Sequence, residues 1–336
     1  MAEMSSANHA GSESLLSIRH LSHEYAARGM GGAPGARLRA VSDVSFDLLR
    51  GETLGVVGES GCGKSTMAKA IMQAPKPTEG EVILEGEDLR GLRGRDLRSA
   101  RRKMQMVSQD PYSSLDPKWR IAQLVEEPLS AHKIGTAAQR KARVAELFDL
   151  VGLDLRRHGE RYPRELSGGQ CQRVAIARAI ALSPQVVICD EAVSALDVSI
   201  QAQILNLFEA LKAELHLSYL FISHDLSVVQ HISDRILVMY MGKVCEAAVS
   251  GELYRHPYHP YTAALLSAIP APVAGSIRTR VEIEGDLPSP FSPPSGCRFR
   301  TRCRFAQPKC ADEEPELREF VSGHQVACHF PLAQNV

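Results

Sequence analysis

Hydrophobic and polar positions change rhythm several times along this chain, and each change predicts a different element. A polar tail over residues 1–14 gives way at Leu15 to short strand-like runs, and a glycine-rich segment from Gly29 to Gly35 reads as a surface loop between strands. Val44 to Leu48 alternates, Thr53 to Val57 is apolar and followed by glycines, and Glu81 to Leu84 has strand character before the turn-like Glu85-Gly86 pair. From Leu97 to about Gly159 the signal is helical: Val144, Leu147, Phe148 and Val151 recur at three- and four-residue intervals. An inserted helical unit over about residues 97–172 is expected. Val174 to Leu182 continues as helix, Val186 to Cys189 as a buried strand, Ile200 to Leu215 as helix and Tyr219 to Ile222 as strand. Such alternation predicts a largely parallel α/β sheet beside an antiparallel β part.

After Gly251 the periodicity fades, and six prolines fall between Pro270 and Pro294. A boundary near residue 255 is expected, separating a core over 15–255 from a proline-rich extension over 256–336.

Composition narrows the class. With 336 residues, 44% hydrophobic and 23% charged, the chain can bury a large core. Lys+Arg and Asp+Glu both number 39, so the balance gives no support to a nucleic-acid footprint. No apolar stretch exceeds strand length, and the first residues lack the basic start and apolar core of a secretory signal, so a cytoplasmic location is expected.

Chemistry enters at Gly58-Glu59-Ser60-Gly61-Cys62-Gly63-Lys64-Ser65, with Thr66 extending the hydroxyl pair. This is the P-loop pattern, preceded by a strand and followed by a predicted helix. Glycines let backbone N–H groups turn inward around phosphate, and the helix start offers unpaired donors to the same anion. Lys64 can neutralise the β- and γ-phosphates, Ser65 can ligate Mg²⁺, and Cys62 reads as a small packing residue. The apolar run Val186 to Cys189 ends in Asp190-Glu191. Alone, an acidic pair ending a strand is more often a solvated loop. Beside a P-loop, Asp190 becomes a candidate for hydrated Mg²⁺ and Glu191 a candidate base that polarises the attacking water.

Leu166-Ser167-Gly168-Gly169-Gln170, with Gln172 and Arg173 after it, sits just ahead of the acidic strand. Here the sequence resembles the ATPase subunits of ABC transporters, over roughly residues 15–330. Gln109 after Met104 to Val107, the Ser194-Ala195-Leu196-Asp197 loop, and His224 after Tyr219 to Ser223 carry the same resemblance. It implies a P-loop ATPase core of the ABC type and a head-to-tail dimer in which the LSGGQ segment of one subunit closes the ATP site of the other. Ser167 and Gly169 would then contact the γ-phosphate held by the partner, and Asp197 would form part of the seam. His224 would hold the γ-phosphate near Glu191, Gln109 would sense Mg²⁺ and couple to membrane subunits, and Tyr25 would stack on adenine. Without that context a strand-end histidine is usually structural, a glutamine before Asp110-Pro111 could organise a turn, and a tyrosine near a sheet edge is more often packing.

A narrower resemblance is to the ATPase subunits of bacterial dipeptide and oligopeptide importers. It rests on Asp110 to Pro117 (DPYSSLDP), Asp197 to Gln203 (DVSIQAQ), Ser223 to Val229 (SHDLSVV), His256 to Thr262 (HPYHPYT), and Leu287 to Pro290 leading to Pro293-Pro294-Ser295-Gly296-Cys297. Importers of nickel, glutathione and other small solutes share many of these segments. The resemblance implies a second, nonidentical ATPase, two transmembrane permease subunits, an extracytoplasmic solute-binding protein, and a place on the cytoplasmic face of the membrane. Departures are Cys171 in place of a basic residue, Ala192 in place of proline, and Ser108 in place of an aromatic. A rival of another class, a soluble ABC ATPase acting on DNA or ribosomes, would often carry a long coiled-coil insertion or two ATPase halves, and neither is apparent.

Four of the eight cysteines, Cys297, Cys303, Cys310 and Cys328, form a C-x5-C-x6-C-x17-C pattern, looser than a zinc ribbon. In a cytoplasmic chain stable disulfides are disfavoured, so the thiols are candidates for Zn²⁺ or a [4Fe–4S] cluster, or for no metal. The importer resemblance favours the cluster. Arg298, Arg300, Arg302 and Arg304 surround the cysteines and are expected to offset thiolate charge or bind an acidic partner.

Overall fold

Thr53–Val57 is buried at every position, as a strand covered on both faces must be. In the computed structural model, which describes residues 14–26, 37–269, 283 and 285–332, this strand is central to an eight-stranded sheet. The spatial order is Arg318–Val321, His324–Val326, Lys243–Val249, Arg235–Tyr240, Thr53–Val57, Ser218–Ile222, Val186–Asp190 and Met104–Val107. Pairing is parallel from Arg235–Tyr240 through to Met104–Val107 and antiparallel beyond. The polar tail and the glycine-rich segment fall outside the described residues, apart from Ser14, which opens the first strand.

A second, four-stranded antiparallel sheet joins Arg37–Leu49, Ser14–Ala26, Glu79–Leu84 and Glu87–Asp88 in that order. Its apolar face closes over the helix Lys64–Ile71 and one face of the large sheet, burying Leu16, Val41, Val44, Met67, Val82 and Ile188 in one core. The opposite face is covered by the helices Gly168–Ile180 and Val198–Leu215 and by a helical group. That group comprises Ile121–Ala131, Ala137–Leu150 and Leu155–His158, and buries Ile121, Leu124, Val125, Val144, Leu147 and Phe148. The phosphate loop follows Thr53–Val57, whose residues belong to both cores, with Gly58 and Cys62 buried and Ser60 and Gly61 exposed.

The extension does not hang from the core by a linker alone. His324–Val326 pairs with Lys243–Val249 through Glu246 opposite Val326 and Ala247 opposite Gln325, so strands join across the expected boundary near residue 255. Glu246 is fully buried, and its carboxylate accepts from the Tyr258 and His259 backbone N–H groups at 2.7 and 3.0 Å. His324 Nε2 stands 2.7 Å from the same carboxylate. A buried carboxylate requires such partners, and all three come from the extension.

Candidate active site

The helix Lys64–Ile71 starts at Gly63, whose φ of 107° is left-handed and which supplies no side-chain cap. Its first N–H groups therefore stay open to an anion. A Cβ on Gly63 would stand 2.1 Å from the Ala40 carbonyl oxygen, so only glycine fits the approach of loop to strand. Lys64 is buried and folds back over the loop, donating to the carbonyls of Gly58 at 2.7 Å and Glu59 at 3.0 Å. Its Nζ is 3.7 Å from Cys62 Sγ, a thiol pushed up by burial and itself packed away from solvent.

The strand Val186–Asp190 delivers Asp190 beside this helix, and Ser65 Oγ donates to Asp190 Oδ1 at 2.8 Å. Burial raises the Asp190 carboxyl above its ordinary value, against the lowering effect of the Ser65 hydrogen bond and of Lys69 and Lys64. A hydroxyl and a half-desolvated carboxylate in contact at the foot of an open helix start are a donor set that fits Mg²⁺ on a phosphate chain.

Glu191, next in the chain, has φ 51°, an uncommon conformation for a residue with a side chain. That turn aims its carboxylate at two polar groups from separate segments. Gln109 Nε2 donates to Glu191 Oε2 at 3.0 Å, and His224 Nδ1 lies 3.2 Å from the same oxygen. The expected closeness of His224 to Glu191 is present, and the fold adds Gln109, expected at Mg²⁺, to the same carboxylate.

A cavity of about 400 Å³ runs from this cluster along the loop, lined by Ser60 to Thr66, Gln109, Glu191 and Tyr25. Tyr25 is half-buried, paired with Leu38 across the antiparallel sheet and edge-on to His23 at 4.6 Å. Its ring thus lines the same cavity as the phosphate loop.

Ser167, Gly168, Gly169, Gln170 and Asp197 do not line that cavity. They form a separate edge. Ser167 caps the helix Gly168–Ile180, accepting from Gln170 N–H, while Gln170 Oε1 accepts from Ser167 N–H at 3.0 Å. Asp197 caps the helix Val198–Leu215 through the Ile200 N–H at 3.0 Å, and Ile200 packs against Gly169. Two capped helix starts therefore sit side by side, outside the cavity that runs along the chain's own phosphate loop.

Of the departures, Cys171 is fully buried and its thiol faces the Pro163 carbonyl at 3.4 Å, so it changes packing beneath the signature helix and not surface charge. Ala192 is buried in the main core, and Ser108 lines a groove with Ala175 and Arg178.

Sequence reasoning missed what the extension contributes. Leu287, Pro288, Pro290, Pro293 and Arg298 line the same cavity as Tyr25 and the phosphate loop. Arg302 pairs with Glu59 at 2.8 Å, and the Tyr261 hydroxyl accepts from the Glu59 backbone N–H at 2.9 Å. Arg298 reaches the Met241 carbonyl and Ser42 Oγ. These two arginines therefore serve the loop and its flanks, correcting the expectation that they offset thiolate charge or await an acidic partner.

The four C-terminal cysteines line one small cavity together with His259, Phe299 and Phe305. Burial and neighbouring thiols push Cys328 up to about 12, and Cys297 and Cys303 are raised mainly by burial. Among the described residues, however, no group of three or more His, Cys, Asp or Glu side chains is arranged to hold a metal ion. The expectation of a [4Fe–4S] cluster or Zn²⁺ on Cys297, Cys303, Cys310 and Cys328 thus gains convergence of the thiols but no ligand shell.

A match to the family described as "ABC transporter" spans residues 41–194, and one to "Oligopeptide/dipeptide transporter, C-terminal region" spans residues 245–310. The oligopeptide transport ATP-binding protein AppF of Bacillus subtilis (strain 168) is 49% identical over 95% of this chain and 98% of its own length. The chain belongs to the ATP-binding proteins of ABC transporters. A putative peptide import ATP-binding protein of Brucella ovis is 47% identical over 94% of this chain and 97% of its own. A dimeric ATP-binding cassette solved in a post-hydrolysis state with ADP and Pi aligns with a TM-score of 0.62 at 30% identity, covering 70% of this chain and 98% of that one. Membership makes this ABC chain an ATPase. No helix among the described residues is long and apolar enough to cross a membrane.

Proposed function

We propose that this chain is the ATP-hydrolysing subunit of an importer of dipeptides or oligopeptides, working on the cytoplasmic face of the membrane. The observation that carries the reading is the near end-to-end similarity to oligopeptide transport ATP-binding proteins, extension included. Nickel, glutathione and DNA- or ribosome-directed readings have no comparable support.

In this proposal Lys64 exchanges the Gly58 and Glu59 carbonyls for phosphate oxygens, and the backbone N–H groups of residues 60–66 hold the chain of phosphates. Ser65 and Asp190 would hold Mg²⁺, which supplies charge neutralisation on the β- and γ-phosphates when bound. Glu191 accepts a proton from the attacking water while His224 and Gln109 orient its carboxylate. Tyr25 stacks on the base. The separate edge at Ser167, Gly169 and Asp197 supports a head-to-tail partner: these residues lie outside the cavity of their own loop, and their helix starts suit the γ-phosphate held by a second ATPase. That second chain is proposed to be a nonidentical paralogue, with two permease subunits and a solute-binding protein completing the complex.

The test is transport. Vesicles carrying this chain with its permeases, companion ATPase and binding protein should accumulate labelled oligopeptide only with ATP inside the chamber that holds this subunit. Uptake of nickel or glutathione without peptide uptake would replace the solute assignment.

The four thiols share one cavity but form no metal-holding group among the described residues, so the proposal of a soft-metal site, with the cluster preferred to Zn²⁺, rests on the cysteine pattern and the importer resemblance. Iron and acid-labile sulfide analysis of anaerobically purified protein should find iron; stoichiometric zinc without iron, or neither metal, would overturn that preference.

A further inference from the structure

Glu59 places a carboxylate inside the loop that must receive a polyphosphate. It stands one residue before Ser60, which lines the nucleotide cavity, and its carbonyl is one of the two oxygens that hold Lys64. Glu59 does not itself line that cavity, but its carboxylate belongs to the residue next to the lining, and low dielectric at a half-buried site strengthens the repulsion between like charges. Something must offset it.

The compensating charge comes from the far end of the chain. Arg302 Nη1 donates to Glu59 Oε2 at 2.8 Å, with the arginine side chain 11% exposed and the glutamate 26%. The guanidinium also lies 5.9 Å from the centre of the Tyr240 ring and within 3.4 Å of its hydroxyl. Tyr240 in turn packs on Tyr261 and Phe299 at 4.8 and 5.2 Å. Tyr261 closes the arrangement by accepting from the Glu59 N–H, so both ends of Glu59 are held by residues beyond position 255. Arg302 itself is fixed on the short 3-10 turn Arg300–Arg302, immediately before Cys303.

The geometry points to Arg302 as a positioning residue for nucleotide binding: supplied by the C-terminal extension, it neutralises Glu59 and so sets the affinity of the phosphate loop for MgATP. The pair does not touch the reacting atoms. It acts through the field at the loop and through the backbone turn at Glu59, so its loss should appear in binding and not in the chemical step. This inference rests on the reading of residues 58–66 as the phosphate site.

Two roles for Arg302 predict opposite results, which makes the test decisive. If Arg302 acts by cancelling charge, Arg302→Met leaves a bare carboxylate beside the phosphates, and removing that carboxylate restores binding. If Arg302 only fastens the extension, removing Glu59 weakens binding in the same way as removing Arg302. The measurement is calorimetric titration of the full-length chain with MgATP, and KM and kcat for ATP in the assembled transporter. Arg302→Met should raise Kd and KM about tenfold with kcat within about twofold, and Arg302→Lys should recover most of that loss. Glu59→Gln alone should tighten binding about two- to threefold, and Arg302→Met with Glu59→Gln should return Kd to near the unsubstituted value. A double variant no better than Arg302→Met, or a Glu59→Gln variant that binds more weakly, overturns the inference. Glu59→Gln leaves the extension's own side chains intact, so that arm stands even where Arg302→Met fails to fold. Lys64→Ala, measured alongside, should abolish binding; retention of binding there would instead overturn the phosphate-site reading.

Discussion

Gln109 and His224 approach the same oxygen of Glu191, at 3.0 and 3.2 Å, from two different segments of the chain. Both contacts bear on the one carboxylate proposed to take the proton of the attacking water. Glu191→Gln should therefore cut ATP turnover of the assembled transporter by a factor of about 100 to 1,000 while MgATP still binds. Undiminished turnover would exclude Glu191 as the base.

Ser65 and Asp190 meet at 2.8 Å at the foot of the phosphate helix. Asp190→Asn keeps the shape and the hydrogen bond but removes the charge that a divalent cation needs. The Mg²⁺ concentration for half-maximal turnover should rise by about tenfold or more. An unchanged Mg²⁺ requirement would place the cation elsewhere.

A Cβ on Gly169 would stand 2.5 Å from Ile200 Cγ2, a branch close to its own helix backbone that cannot swing aside. Gly169→Ala should push apart the two helix starts at Ser167 and Asp197. Thermal unfolding should show a loss of about 1–3 kcal/mol, and turnover should fall because the edge presented to the partner is displaced. Wild-type turnover in this variant would argue against that edge as part of the composite site.

Burial holds His23 below its ordinary value near 6.5, outweighing the backbone of Lys76 and the charge of Glu24, and among the described residues its Nδ1 has no hydrogen-bond partner. The folded form thus keeps a neutral ring while the unfolded chain takes up a proton as pH falls through about 6.5. The sign follows: stability from this residue is complete above that pH and declines below it, toward the lower folded value. The melting midpoint should drop between pH 7.5 and about 5.5, and His23→Phe should flatten the decline. A midpoint that rises on acidification, or an equal drop in His23→Phe, would contradict it.

Elements encoded locally were legible from residues alone. The apolar runs at Thr53–Val57 and Val186–Asp190 declare themselves as buried strands because no polar side chain interrupts either before its functional end. The helix Ile121–Ala131 was harder to see, since Pro128 punctuates it although Ile121, Leu124, Val125 and Leu129 keep helical spacing. His324–Val326 is three residues long and has no alternation to reveal that it completes a sheet. Contacts such as Arg302 with Glu59, 243 positions apart, leave no periodic trace, and a run of arginines between cysteines suggested a local purpose. Cysteine spacing brought four thiols to one cavity in the reading and in the fold, but spacing does not specify coordination geometry.

Glu246 takes on a further role when the chain is considered as it is being made. Its edge strand emerges from the ribosome well before its partner, since 78 residues separate Glu246 from His324. During that interval the strand Lys243–Val249 is an open edge, the kind of template on which unfinished chains pair with one another. A carboxylate at its centre, later sealed by Tyr258, His259 and His324, resists burial against any stranger that lacks those three donors. The residue that fastens the finished tail is thus costly to bury wherever those partners are missing.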